Sequence, residues 1–205
     1  MVEVQSHGFV FENWVKDTFF NGYRGGYSDK WDVPMKFNKK GLPVSIKTAK
    51  YGSTIGLGDA IRQFSTDEDF LLIVGFWKQE GKLKRIVNAS SVIIKKDDWK
   101  DLWVPIKLID LQKLDSLIKN MNIGHKEVRI MAQDLKKTTP YSLAKITLNP
   151  KIDSKKQRRL QCGIKFNLYF EKFATNTSSE IIENPSLFGV NVPPPWKSEG
   201  RKFNR

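Results

Sequence analysis

The run Phe70–Phe76, apolar throughout except for Gly75, limits the possible folds of this chain more than any other stretch. It lies in Phe70–Trp77, which with Leu83–Ile94, following across Gln79-Glu80-Gly81, reads as one of two buried strands. Buried strands need further layers on their faces, and the flanking sequence supplies them. Phe9–Phe20 reads as a helix that places Phe9, Phe11, Trp14, Val15 and Phe19 mostly on one broad face. Asp110–Met121 reads as an amphipathic helix striped by Leu111, Leu114, Leu117, Ile118 and Met121. Trp31–Phe37 and Leu42–Ala49 are predicted to form a hairpin turning through Asn38-Lys39-Lys40-Gly41. Gly52, Gly56 and Gly58 mark a loop, after which Asp59 is placed to cap a helix running through Gln63. Lys126–Met131 reads as a short strand, and Leu160–Phe170 as a long one with Leu160, Cys162, Ile164, Phe166, Leu168 and Phe170 on one face. The last 33 residues are turn-rich, with Pro193-Pro194-Pro195 extended before Trp196. This order predicts an α/β protein with a mixed central β-sheet flanked by helices and a basic, strand-containing C-terminal half.

At 205 residues, 40% hydrophobic and 28% charged, the chain is of globular composition, which excludes wholesale disorder. No run reaches the ~18 apolar residues of a membrane span. The start carries Glu3 and neither a basic nor an apolar stretch, so no leader is expected and no membrane partner. A single cysteine, Cys162, forms no internal disulfide and suits a reducing compartment such as the cytoplasm. With only His7 and His125 beside it, a zinc site of the usual ligands is not expected, and both histidines read as surface residues.

The net charge of +13 is unevenly spread. Residues 123–172 hold twelve basic and four acidic groups, and residues 31–64 hold six and two, whereas residues 65–94 are neutral. Concentrated like charge disfavours a compact fold and points to a polyanionic partner, above all nucleic acid. The plain alternative is a solubility surface.

The predicted hairpin concentrates the chemistry. Asp32 starts one strand, and Ser45-Ile46-Lys47 lies near the end of the other. Ser45 and Lys47 share a face, because side chains alternate with period two, and Ile46 points to the core between them. A carboxylate and an ammonium then converge at one sheet edge. Such a cluster can hold a divalent metal through Asp32 and a backbone carbonyl while the lysine positions or activates water. Phosphodiester hydrolysis needs both functions. A cross-strand ion pair of Asp32 with Lys47, worth at most ~1 kcal/mol at a surface, is the structural alternative.

Asp32, the hairpin, Ser45-Ile46-Lys47 and the preceding helix with Glu12 together resemble the PD-(D/E)xK nuclease superfamily over about residues 9–94. Within it, the small size and basic second half look most like a type II restriction endonuclease. The resemblance implies a restriction-endonuclease-like fold and Mg²⁺-dependent cutting of double-stranded DNA at a specific sequence, leaving 5′-phosphate and 3′-hydroxyl ends. It implies Asp32 and Glu12 as metal-binding acids together with the Ile46 carbonyl, and Lys47 as the motif lysine. It also implies a homodimer and a companion DNA methyltransferase that is not physically bound. Ser45 stands where the motif has its second acid, which leaves Glu12, or else Asp59, to supply the missing charge; Gln63 is a further candidate on the following helix. On this reading 1–122 is the catalytic core, 123–172 a DNA-recognition extension of the same domain, and 173–205 a tail or dimer arm.

Candidate DNA contacts are Lys155, Lys156, Gln157, Arg158 and Arg159, together with Lys50. Arginine forks match guanine O6 and N7, and glutamine can bridge adenine, whereas the lysines suit phosphates. Thr138, Thr139 and Tyr141, beside Lys136 and Lys137, are further phosphate candidates. Two other functions share these features: a structure-selective nuclease resembling a junction resolvase, and a non-catalytic nucleic-acid-binding protein.

Overall fold

The computed structural model describes residues 6–26, 29–153 and 157–198. In chain order the elements are α1 Ser6–Phe19, β1 Val44–Lys50, β2 Ile55–Asp59, α2 Ala60–Phe64, β3 Phe70–Glu80, β4 Leu83–Ile94, α3 Lys96–Asp101 and α4 Leu108–Lys119. There follow α5 His125–Lys136, β5 Thr147–Ile152, β6 Arg158–Ile164, α6 Phe166–Lys172, β7 Ser186–Leu187, β8 Val190–Asn191 and β9 Trp196–Lys197. They fall into two units. The first comprises Met1–Ile55, Asp69–Ile94 and Phe166–Arg205, and the second Gly56–Glu68 and Lys95–Lys165. Each unit draws on separated stretches, whereas the sequence suggested consecutive segments 1–122, 123–172 and 173–205. Among the described residues, no helix is long and apolar enough to cross a membrane.

In the first unit the run Phe70–Phe76 is buried throughout, as a strand covered on both faces must be. The sheet has the order β1-β3-β4-β9 and is mixed, with β1 parallel to β3 and the β3–β4 and β4–β9 pairs antiparallel. The α/β class with a mixed central sheet is therefore as expected. Phe11 and Val15 of α1 pack with Val44, Ile46, Ile73 and Ile86 from the strands. Gly75 makes this possible, because a Cβ there would lie 2.9 Å from three ring carbons of Phe11. Phe166, Tyr169 and Phe170 of α6 place their rings 5.1–6.0 Å from that of Phe76. The 173–198 segment is fastened to the sheet: Asn88 donates to the Ser178 and Glu180 carbonyls, both at 2.8 Å, and Trp196 pairs with Lys84.

The sheet of the second unit has the order β2-β6-β5. Leu148 and Ile152 of β5 and Leu160, Cys162 and Ile164 of β6 are buried, as are Leu111, Leu114 and Ile118 of α4 and Val128 and Ala132 of α5. Burial pushes the Cys162 thiol far above its ordinary pKa, so it is an inert core group.

Four expectations need correction. Trp31–Phe37 is not a strand: only Val33 bridges to Val44, and Met35–Phe37 forms a 3₁₀ turn. Pro34, still extended at φ −65° and ψ 153°, has no N–H to continue the ladder, and the chain leaves the extended path in the 3₁₀ turn Met35–Phe37 that follows. Ile55–Asp59 is strand β2 where a glycine-marked loop was expected. Lys126–Met131 lies in helix α5, whose buried Val128 and Ala132 are four residues apart on one helical face. The strand expected over Leu160–Phe170 ends at Ile164, and Phe166–Lys172 is helix α6.

Gly75→Ala should destabilise the protein by about 1–3 kcal/mol, because the buried Phe11 ring has to move to admit the methyl group. Urea unfolding followed by far-UV circular dichroism measures it.

Candidate functional site

Strand β1 lies at the edge of the first unit's sheet, with β3 on one side only. Val33 and Val44 exchange both backbone hydrogen bonds across its other side, at 3.2 and 2.8 Å. The next hydrogen-bonded pair of an antiparallel ladder would be two residues further along each strand, and would join Ile46 to Trp31. Instead the Ile46 amide donates to the carboxylate of Asp32, at 2.7 Å to Oδ2. Lys47 Nζ donates to the same oxygen at 2.7 Å, and the Ser45 hydroxyl approaches it at 3.4 Å. The flanks of Asp32 hold it there. Val33 is buried, and Trp31 lies with its ring 5.0 Å from that of Phe70. Asn38 closes the 34–43 connection, its amide donating to the Leu42 carbonyl at 2.8 Å. The side chains of Asp32 and Lys47 keep 25% and 21% of their exposure, so the pair is reachable from solvent.

The structure thus brings together Asp32, Ser45, Ile46 and Lys47. Glu12 sits on α1, where its carboxylate accepts from the buried Lys16 ammonium at 2.6 Å. Glu12, Lys16 and Asp32 line one cleft of about 350 Å³, together with Asn13, Asp29 and Trp31. Asp29 is itself held by the Gly26 amide at 2.8 Å.

Among the described residues, no three His, Cys, Asp or Glu side chains converge into a metal-holding group. Mg²⁺ does not need three. It is held through one or two carboxylates and completed by water and substrate phosphates. The three bonds to Asp32 all use Oδ2, so Oδ1 takes part in none of them. The Ile46 carbonyl leaves the strand on the same edge as its amide, toward Asp32. Oxygen donors of this kind are what a hard divalent cation takes; Asp32 and Glu12, which line one cleft and are each paired with a lysine, are the carboxylates that would hold it.

The remaining candidates have other partners. Asp59 caps α2, accepting from the Arg62 amide at 2.8 Å. Gln63 is buried, donates to the Leu57 carbonyl and accepts from the Trp99 indole through its own carbonyl. Lys50 is exposed at the end of β1. Arg158 donates to the Asn120 and Ile123 carbonyls, so reading a base would require it to leave both. Arg159 and Gln157 are exposed and hydrogen-bond to each other at 2.8 Å. Lys155 and Lys156 lie outside the described residues. Of the further phosphate candidates, Lys136 donates to the Leu148 carbonyl and Lys137 to Asp134, Thr138 donates to the Leu135 carbonyl, and Tyr141 is buried. Burial lowers the Lys136 pKa.

The register of β5 with β6 reveals residues that sequence reasoning passed over. Lys151 stands directly opposite Arg159, and Asn149 opposite Gln161. Asn149, Lys151 and Arg159 are exposed and Gln161 half-buried, while their strand neighbours Leu148, Ile152, Leu160 and Cys162 are buried. Like charges directly opposite on a sheet are destabilising, so this face is suited to a polyanion. Its signal in the sequence is the alternation of 147–152, which pairs with the alternation that begins at Arg159.

Comparisons with protein families, with curated proteins and with solved structures found no match to this chain. Removing the Asp32 carboxylate leaves the Ile46 amide and Lys47 without their acceptor. Asp32→Ala should therefore cost about 1–3 kcal/mol of stability, while Ser45→Ala, with its 3.4 Å contact, should cost less. Parallel urea titrations check the order.

Proposed function

We propose that this chain is a Mg²⁺-dependent DNA endonuclease of the kind the PD-(D/E)xK resemblance implies, cutting double-stranded DNA at a specific sequence. The observation that carries this reading is the shared oxygen of Asp32, which gathers the Lys47 ammonium and the Ile46 amide at one solvent-reachable sheet edge. A structural ion pair needs only the ammonium. A backbone amide on the same oxygen fixes the carboxylate in place, and with it the lysine, as a reaction centre requires.

In the proposed reaction Lys47 orients the attacking water and stabilises the charge that builds on the phosphate. Asp32 sets the position of Lys47 and, with Glu12 and the Ile46 carbonyl, would hold the metal. When bound, Mg²⁺ neutralises phosphate charge. In-line attack of water on phosphorus expels the 3′-oxygen, which leaves as the hydroxyl, and the 5′-phosphate remains. Binding relies on the basic face of the second unit, with Lys151 and Arg159 on phosphates and the amides of Asn149 and Gln161 suited to base edges. As the resemblance implies, two copies cut the two strands of a near-palindromic site.

The decisive experiment incubates the protein with a fully sequenced plasmid in Mg²⁺ or EDTA and sequences the ends. Cutting at a fixed set of sites in Mg²⁺ alone is expected, with Lys47→Ala and Asp32→Ala inactive and Lys47→Ala still binding DNA. Full activity of Lys47→Ala overturns the assignment. Salt-sensitive binding without any hydrolysis identifies a non-catalytic binder, and cutting that follows DNA shape identifies a structure-selective nuclease.

Lys151→Ala and Arg159→Ala test the binding face separately. Each should reduce the slope of log affinity against log salt concentration by about 0.9, the release of one counterion. Fluorescence anisotropy of a labelled duplex measures the slope, and an unchanged slope removes that residue from the interface.

A further inference from the structure

A cavity of about 610 Å³ opens in the first unit, lined from the end of α1, the 36–40 loop and the β7–β8 turn. Small-molecule sites range over about 300–1,000 Å³. Three lysines, Lys36, Lys39 and Lys40, line it, and among the described residues no carboxylate does. Two of them already lean on aromatic faces: Lys36 Nζ is 5.1 Å from the Phe37 ring centroid, and Lys40 Nζ is 5.7 Å from that of Phe188. Both rings also line the cavity; Phe37 lies 4.5 Å from the Tyr23 ring and Phe188 5.2 Å from that of Phe19, and the two residues still keep 45% and 48% of their exposure.

The backbone adds an independent sign. Among the described residues, two non-glycine residues have positive φ, Asn21 at 50° and Phe188 at 51°, and both line this cavity. Asparagine tolerates that region, but a bulky aromatic residue is a true outlier there. Phe188 and Gly189, at φ 51° and 81°, are the two turn residues between β7 and β8. Positive φ at both positions is the requirement of a type I′ turn, which favours Asn-Gly. A phenylalanine at the first position is strained; its ring packs edge-on against Phe19, with centroids 5.2 Å apart, yet the residue stays 48% exposed, so burial offsets only part of the strain. Strain of this kind persists where a site uses it.

We propose that this cavity binds a nucleotide, with the base against the rings of Phe37 and Phe188 and the phosphate among Lys36, Lys39 and Lys40. An inorganic anion has no use for the bare rings, and an apolar ligand has none for three uncompensated ammoniums. A base bearing a phosphate uses both. Two sources offer that chemistry, a free nucleotide and one nucleotide of a single DNA strand. None of these residues belongs to the Asp32–Lys47 cluster, so the site stands or falls apart from the nuclease reading.

Isothermal titration calorimetry on the full chain in EDTA, with 2′-deoxyadenosine 5′-monophosphate and with the hexamer (dA)₆, tests the proposal. The monophosphate should bind, and deoxyribose 5-phosphate and deoxyadenosine should each bind at least about tenfold more weakly. Phe188→Asn supplies the residue the turn prefers while giving up the ring contact with Phe19, so its Tm should change little while monophosphate affinity falls about tenfold or more. Lys39→Ala/Lys40→Ala should lose comparable affinity. Equal affinity for the two probes identifies the free nucleotide as ligand. A hexamer advantage that Phe188→Asn abolishes identifies the strand. The proposal is overturned if neither probe binds at millimolar concentration, or if Phe188→Asn and the double lysine variant bind both probes as the parent does.

Discussion

The carboxylate of Asp32 does the work of a missing strand. β1 needs hydrogen-bond partners along its outer edge, and the segment before it provides only one backbone bridge, at Val33. Pro34 brings no N–H and the 3₁₀ turn Met35–Phe37 then takes the chain away, while on the other side of the bridge the ladder position at Ile46 is filled by a side-chain oxygen in place of a carbonyl. The substitution has a chemical consequence. A backbone carbonyl there would be neutral and confined to its ladder, whereas a carboxylate brings a negative charge and a second oxygen to the sheet edge. Lys47, next to the core-facing Ile46 and two residues along from Ser45 on the same face, answers that charge. The site is an edge-protection device and a charge centre at once.

Residue spacing alone therefore led to the right partners by the wrong path. The sequence suggested a tight hairpin through Asn38–Gly41, and the structure has a ten-residue connection, 34–43, yet Asp32 still meets Lys47. What survives the error is parity: Ser45 and Lys47 share a face in any extended reading of β1. The long, strongly patterned elements, α1, β3, β4 and α4, were readable because burial on one side or on both leaves a period in the sequence. The failures fall where two periods fit. Phe166, Leu168 and Phe170 alternate as a strand does, but Phe166, Tyr169, Phe170 and Phe173 also fall at helical spacing, and the helix wins by placing three rings on Phe76. Nor can composition reveal that the Arg158 fork binds the carbonyls after α4, since that contact joins residues 35 and 38 positions apart.

Uncompensated charge recurs in both units. In the second it lies on the paired strands, where Lys151 faces Arg159, and in the first it rims the aromatic cavity. Elsewhere the chain pairs its charges readily: Asp67 accepts from both Lys96 and Lys100, and these two lysines hold its carboxyl down at a pKa of about 2. A sequence that neutralises its lysines in one place and leaves them without carboxylates in two others gains no ion-pair stability from the latter; solubility and the polyanionic ligands proposed above are what such charge suits.

The acids of the proposed reaction centre are, by contrast, already balanced. Asp32 is answered by Lys47 at 2.7 Å and Glu12 by Lys16 at 2.6 Å, one cation to each anion. In the motif that this sequence resembles, the position of Ser45 carries a further acid, which would leave the centre negative and ready for a cation. On the proposed reading, the negative charge needed to hold a divalent metal would therefore have to arrive with the substrate: a DNA phosphate beside Asp32 would supply the charge and oxygen ligands that Ser45 does not, and would compete with Asp32 for the Lys47 ammonium. On that reading the serine would make metal binding depend on substrate more than a second carboxylate would.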